Sequence, residues 1–240
     1  MDPGPPLWLH AGMKYGLEES RRAFAEAISN HQAHGDPYLY GNQWGDPTHG
    51  TLRYLFERYV RRRKVPGDLG QVVRRYIEPY VRPGVTALEI GAGGGRWTQF
   101  LLPATTIIVV ETTPEFFPYL EARFGPRFEL YQSQGAELAG IATGRVDYAF
   151  SFGTFVHTPP EILDGYLGHL QRVLRPGGVA VLQYADKEKR AARAEGPEDA
   201  GFADLNPARF EALARRHGFI LRTHDTRRLN HSNVAVLVRP

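Results

Sequence analysis

The feature that most constrains this chain is a cluster of glycines directly behind a short apolar run, Ala87-Leu-Glu-Ile-Gly-Ala-Gly-Gly-Gly-Arg-Trp-Thr98. A β-rich run ending in glycines at 91, 93 and 95 describes a buried strand that turns tightly and opens a helix. With no Cβ at those positions, the backbone can also approach a ligand closely. The runs 106–111, 127–131, 146–152 and 179–184 repeat the β-rich pattern, and the segments between them are long enough for crossover helices. Such alternation predicts an α/β fold with a doubly wound, mostly parallel sheet. Residues 219–229 and 233–238 read as two more strands joined by a turn near Asn230-His231. The sheet is therefore expected to end in a hairpin whose last strand is antiparallel.

The helices are announced by their ends. Thr158 and Glu161 have capping-box spacing with Pro159 at the first helical position, and Ile162, Tyr166, Leu170 and Val173 line one face. Asn206, Pro207 and Gly218 bound the last helix. Before residue 80 the chain reads as helical and irregular. Leu52, Leu55, Phe56, Tyr59 and Val60 form one apolar helix face, 69–81 reads as another helix, and 35–50 as an aromatic, turn-rich loop. The expected organisation is an N-terminal helical cap over 1–80 and a core over 81–240.

Composition narrows the chemistry. At 240 residues and 42% hydrophobic, the chain can bury a large core without cross-links. It has no cysteine, which excludes disulfides, thiolate metal sites and a cysteine nucleophile. No apolar run approaches the ~18 residues of a membrane span, and the first residues lack a signal-peptide pattern, so a cytoplasmic protein is expected. The net charge of +3 is mild, and without a basic stripe interleaved with aromatics no nucleic-acid partner is expected.

A dinucleotide fingerprint would need glycine at 96, where Arg96 stands. Glu111, twenty residues past Gly91 at the end of the second expected strand, is placed to take both hydroxyls of a ribose. A glycine turn without a phosphate-binding Lys-Ser/Thr pair suits a nucleoside that has no pyrophosphate. Taken with Asp147-Tyr-Ala-Phe-Ser-Phe152 and Leu174-Arg-Pro-Gly-Gly-Val179, in this order and spacing, residues 85–185 resemble a class I S-adenosylmethionine-dependent methyltransferase. The glycine motif, the run Ser151-Phe-Gly-Thr-Phe-Val-His157 and the upstream Trp44-Gly-Asp-Pro47 resemble, more closely, bacterial enzymes of sugar, polysaccharide and natural-product O-methylation.

The resemblance implies a seven-stranded Rossmann-like sheet, S-adenosylmethionine as methyl donor and S-adenosylhomocysteine as product. It implies that Glu89 orients the glycine loop and approaches the methionine amine. The backbone of Gly91 and Gly93, with Gly95 completing the turn, would face the methionine portion, and Glu111 would bind the ribose. Where the family carries an acidic side chain before a glycine at the adenine edge, this chain has Gln134 before Gly135, with Ser133 as the alternative contact. Ser151 and Phe152 would line the methionine end, and Trp44 or Asp46 would close the site from the cap.

Transfer to a hydroxyl needs a proton acceptor, and His157 follows the fourth strand at the mouth of the sheet, just before a helix N-terminus that disfavours positive charge. The alternative is a histidine hydrogen-bonded within the turn. Asp186, after the fifth strand, could hold a sugar hydroxyl or, with His157, a divalent cation such as Mg2+; otherwise it is a loop carboxylate paired with Lys187 or Lys189. His231, in the terminal hairpin turn, is expected on the same side, either with a role there or simply exposed in the turn. His31, His34 and His49 lack a ligand spacing and are assigned no metal, and 187–204 stands where a substrate-side insertion is expected. The expected acceptor is a hydroxyl of a sugar, glycan or glycosylated metabolite. The alternatives are a small-molecule amine, or a catalytically silent nucleoside-binding domain that serves as a partner subunit.

Overall fold

In the strand Thr106–Glu111 both faces are buried, since Ile107 and Val109 enter one apolar layer and Ile108 and Val110 the other. A run of β-branched residues without polar alternation fits only a sheet covered on both sides. The computed structural model describes residues 22, 25, 26, 28, 29, 38, 46–62, 67–189, 192 and 202–240. Within them one sheet has the order β3-β2-β1-β4-β5-β7-β6. Its strands are β1 (Thr86–Ile90), β2 (Thr106–Glu111), β3 (Phe128–Gln132), β4 (Val146–Ser151), β5 (Leu174–Ala185), β6 (Ile220–Asp225) and β7 (Ser232–Val238). Only β7 runs antiparallel to its neighbours, pairing β5 and β6.

The described helices are α1 (Thr51–Leu55), α2 (Leu69–Val72), α3 (Phe117–Phe124), α4 (Pro160–Val173) and α5 (Pro207–Arg216). Leu163, Tyr166, Leu167 and Leu170 of α4 and Phe210 of α5 cover Leu88 and Ile90 on one face. Val72, Val73 and Ile77, with Trp97 and Leu101, cover Ala87, Ile107, Tyr148 and Phe150 on the other. Among the described residues no helix is long and apolar enough to cross a membrane.

Several local expectations change. The glycine turn opens no α-helix; a single 3-10 turn at Thr98–Phe100 follows it, because Pro103 lies too near to leave room for more. Thr158 does not cap α4. Pro160 forces Pro159 into an extended conformation (ψ 145°), Pro159 becomes the N-cap, and the Thr158 hydroxyl donates instead to the Thr154 carbonyl at 2.8 Å. Asn206 does cap α5, accepting the Arg209 N–H at 2.9 Å. The strand expected over 179–184 begins earlier, at Leu174, which pairs with Val146.

The apolar face of 52–60 does not enter the core. Leu52 is 84% exposed, Tyr59 67% and Val60 65%, while the inner side of the helix is tied by a polar contact from Arg74 Nη2 to Thr51 Oγ1 at 2.8 Å. Replacing Leu52 or Phe56 by serine is therefore expected to change unfolding free energy by less than about 0.5 kcal/mol. Urea titration of the two variants checks this; a loss above about 2 kcal/mol would show a buried face.

Candidate functional site

The glycine turn starts where β1 ends. Its first N–H, from Gly91, donates to Val110 O of β2 at 2.8 Å, and Gly91, Gly93 and Gly95 take φ values of 76°, 52° and 84°. Those left-handed values alone favour glycine. The missing side chains also make room for protein. A Cβ at Gly91 would collide with Thr154 Oγ1, one at Gly94 with the Tyr38 carbonyl, and one at Gly95 with Phe124 Cε2. The turn is thus gripped from the loop after β4, from the N-terminal segment and from α3.

Two buried carboxylates stand beneath it. Glu111, at the end of β2, accepts the Gly93 N–H on Oε2 at 3.0 Å and the Thr112 and Thr113 N–H groups on Oε1 at 2.7 and 3.3 Å. Glu89 accepts the Thr98 hydroxyl on Oε2 at 2.6 Å. Burial, reinforced by the charge of Glu111 and only partly opposed by the Thr98 bond, pushes Glu89 up to about 8. Burial also raises Glu111, against the pull of its amide bonds. Among the described residues no lysine or arginine pairs with either acid. Buried acids without a cation fit a ligand that brings positive charge and hydroxyl donors of its own. S-adenosylmethionine carries an ammonium, a sulfonium and a ribose diol.

At the end of β3, Ser133 Oγ donates to Gly135 O at 2.8 Å and lies 3.1 Å from the Tyr166 hydroxyl. Gln134 is exposed, and its N–H donates to Glu137 Oε1 at 3.2 Å. The acid at this corner is therefore Glu137, three residues beyond the position read from sequence. Trp44 lies outside the described residues, as do His31 and His34.

Across the β1/β4 junction, Ser151 Oγ and Thr154 Oγ1 donate to Ile90 O at 2.9 and 3.3 Å. Phe152 packs on Trp97 with ring centroids 4.3 Å apart. The His157 N–H donates to Thr154 O at 3.1 Å, and its ring stacks on Phe202 at 5.2 Å and 19°. Phe202 meets His231 on its own account, at 5.1 Å and 38°. Because β7 is antiparallel, the residue before it lies beside the end of β5, and the Asp186 N–H donates to His231 O at 3.1 Å. Burial, with smaller electrostatic contributions from His157 and Lys189, pushes His231 down to about 4, so it is neutral at pH 7.

Asp186 is brought to this mouth, with one hydrogen bond accepted on each carboxylate oxygen. Its Oδ1 accepts the Glu188 N–H at 3.0 Å and its Oδ2 the Asn233 side-chain amide at 2.9 Å. Lys189 binds Asp186 through its backbone, its N–H donating to the Asp186 carbonyl at 3.0 Å, rather than through a direct ion pair. The ammonium donates to the Leu229 and Ser232 carbonyls at 2.7 and 2.6 Å, and burial lowers its pKa. Among the described residues no group of three or more His, Asp or Glu side chains is placed to hold a metal ion. Phe202 carries no signal in the sequence, Thr154 stands within the run 151–157 without a role of its own, and Tyr38 is one of the aromatics of the loop 35–50, where a stacking residue or core of the cap is expected; each reaches the site through a contact between distant segments.

Residues 87–178 match the family described as "Methyltransferase domain". No curated protein matches the chain. Among solved structures, a S-adenosylmethionine-dependent methyltransferase from Mesorhizobium loti is similar at TM-score 0.59 and 14% identity, covering 70% of this chain and 96% of that one. One from Aquifex aeolicus gives TM-score 0.56 at 16% identity, over 89% and 98% of the two chains. The Burkholderia thailandensis 1,6-didemethyltoxoflavin-N1-methyltransferase, solved with 1,6-didemethyltoxoflavin and S-adenosylhomocysteine, gives TM-score 0.55 at 19% identity, over 92% and 89%. The chain has the fold of these enzymes.

Proposed function

We propose that this protein is an S-adenosylmethionine-dependent methyltransferase acting on a hydroxyl of a sugar, glycan or glycosylated metabolite. The observation that supports it most is the seating of Thr154 on Gly91. It sets the loop carrying His157 directly against the turn that would hold the methyl donor. When bound, the donor supplies an activated methyl on a sulfonium, so the reaction is an in-line displacement in which positioning and exclusion of water count heavily.

In this reading Glu111 holds the ribose with the hydrogen-bonding capacity its amide contacts leave, and Glu89 faces the cationic methionine end. His157 takes the proton of the attacking hydroxyl. His231 and Phe202 wall the acceptor space, and Asp186 braces the loop after β5 through Glu188 and Asn233 rather than binding the acceptor directly. An amine acceptor is the second reading, favoured by the likeness to the 1,6-didemethyltoxoflavin-N1-methyltransferase. An unprotonated amine needs no proton removed before attack, so such a reaction would depend less on His157.

Calorimetric titration with S-adenosylmethionine and S-adenosylhomocysteine tests the reading; no binding of either would sink it. Assay of mannosides against small amines, with and without Mg2+, then separates the acceptors. Glu111→Ala removes an acceptor from three backbone N–H groups as well as from the ribose, and is expected to weaken cofactor binding by about 1–3 kcal/mol. Unchanged affinity would take Glu111 out of the site.

A further inference from the structure

Tyr38 lies far from the glycine turn in sequence yet packs onto it from three directions. Its carbonyl occupies the space that a Cβ on Gly94 would need. Two guanidinium groups lie over its ring, with Arg96 Cζ at 5.0 Å and Arg123 Cζ at 4.7 Å from the centroid. Its hydroxyl accepts from Gln99 Nε2 at 3.1 Å, and the same amide nitrogen donates to Arg96 O at 2.7 Å. The residue is 8% exposed.

These contacts join three pieces of chain. Arg96 and Gln99 belong to the turn and its 3-10 extension, Arg123 to α3, and Tyr38 to the N-terminal segment. Ten residues earlier, Ile28 is buried against Phe116 and Tyr119 at the start of α3, so the same segment is fastened to the same helix twice. The buried Arg96 guanidinium and the exposed Arg123 guanidinium are both drawn to the electron-rich face of the ring, and the contact to Arg96, being desolvated, is the stronger of the two. The turn holds one backbone bond within itself, Gly95 N–H to Ala92 O at 3.0 Å, while Gly91 and Gly93 donate outward to Val110 and Glu111. Its shape depends on what presses on it.

We infer that Tyr38 is a positioning residue, a clamp by which the N-terminal segment holds the glycine turn in its cofactor-receiving shape. This rests on the cofactor reading above. The clamp acts through the Gly94 backbone and the Arg96 side chain, and it explains why glycine is needed at 94, where φ is not left-handed.

Four proteins test it: wild type, Tyr38→Ala, Tyr38→Phe and Gly94→Ala. Hydrogen exchange of the amides of 91–97, measured without cofactor, reads the clamp alone; S-adenosylmethionine titration and dissociation kinetics read its purpose. Tyr38→Ala is expected to speed exchange in the turn while the β1 and β4 amides keep wild-type rates. It should weaken S-adenosylmethionine about tenfold, mainly through faster dissociation. Tyr38→Phe, which keeps the stacked ring, should stay within about threefold of wild type. Gly94→Ala, which displaces the Tyr38 backbone without touching its ring, should resemble Tyr38→Ala. Wild-type exchange in the turn of Tyr38→Ala would overturn the clamp, as would faster exchange throughout the sheet with unchanged affinity, the signature of packing alone. Wild-type protein that binds no cofactor while its turn still responds to Tyr38→Ala would overturn the cofactor reading, and with it the purpose assigned to the clamp.

Discussion

A His157→Ala variant is expected to lose methyl transfer by about 10²–10⁴-fold while its affinity for S-adenosylmethionine stays within about threefold of wild type. The separation follows from how the residue is held. Its backbone is fixed by the bond to the Thr154 carbonyl, which alanine keeps, and its ring packs on Phe202 rather than on Glu89, Glu111 or the glycine turn. Deleting the ring removes the proton acceptor and leaves the cofactor cradle standing. Initial rates at saturating acceptor, paired with calorimetry, give both numbers. Equal loss of rate and affinity would mark His157 as structural, and near-normal turnover would move the acceptor from a hydroxyl to an amine.

The second large effect concerns Glu89 and pH. Its carboxyl titrates near 8 in the folded protein, against an ordinary value of 4.5. Between those two values the folded chain therefore holds a proton that the unfolded chain has released. Stability from this group is complete below about pH 4.5, falls as pH rises towards 8, and levels off above it. The raised value of Glu111 has the same sign. Glu89→Gln keeps the shape and removes the titration. It is expected to melt above wild type by about 5 °C at pH 8.5 and to show a much smaller gain at pH 5. The same variant should bind S-adenosylmethionine at least about tenfold more weakly, because the cationic end of the cofactor loses its partner. Thermal scans at the two pH values and one titration check the pair. A gain in stability independent of pH, or unchanged cofactor affinity, would show that Glu89 is not the uncompensated acid described here. Burying an acid for a ligand to neutralise trades stability of the empty protein for binding.

Much of the sheet was legible because its signals are local. The β-branched run 106–111 cannot be placed anywhere but in a covered sheet, the aromatic-rich run 146–151 joins the same sheet, and the turn glycines must follow a strand. Glu111, the last residue of β2, was legible for the same reason, since a strand's last residue sets where its side chain emerges, whereas Glu89, one residue before the end of β1, was singled out by the family resemblance. Cap and boundary details failed where two local rules competed. The tandem prolines at 159 and 160 override the Thr158 capping signal by fixing the backbone, and Pro103 ends the helix expected after the glycine motif. Leu52 and Phe56 have perfect helical periodicity, yet periodicity states only that a face exists and not what covers it.

The chain's own order of residues thus determined the parallel sheet, its antiparallel last strand, the glycine turn and the pair of acids beneath it. Tertiary structure alone decided which groups meet across that turn: Thr154 on Gly91, Tyr38 on Gly94, Phe124 on Gly95, and Phe202 between His157 and His231. Strand and turn propensities act between neighbours a few residues apart, so a sequence carries them openly. Contacts between residues separated by tens of positions depend on how the layers pack, and packing is a property of the whole fold.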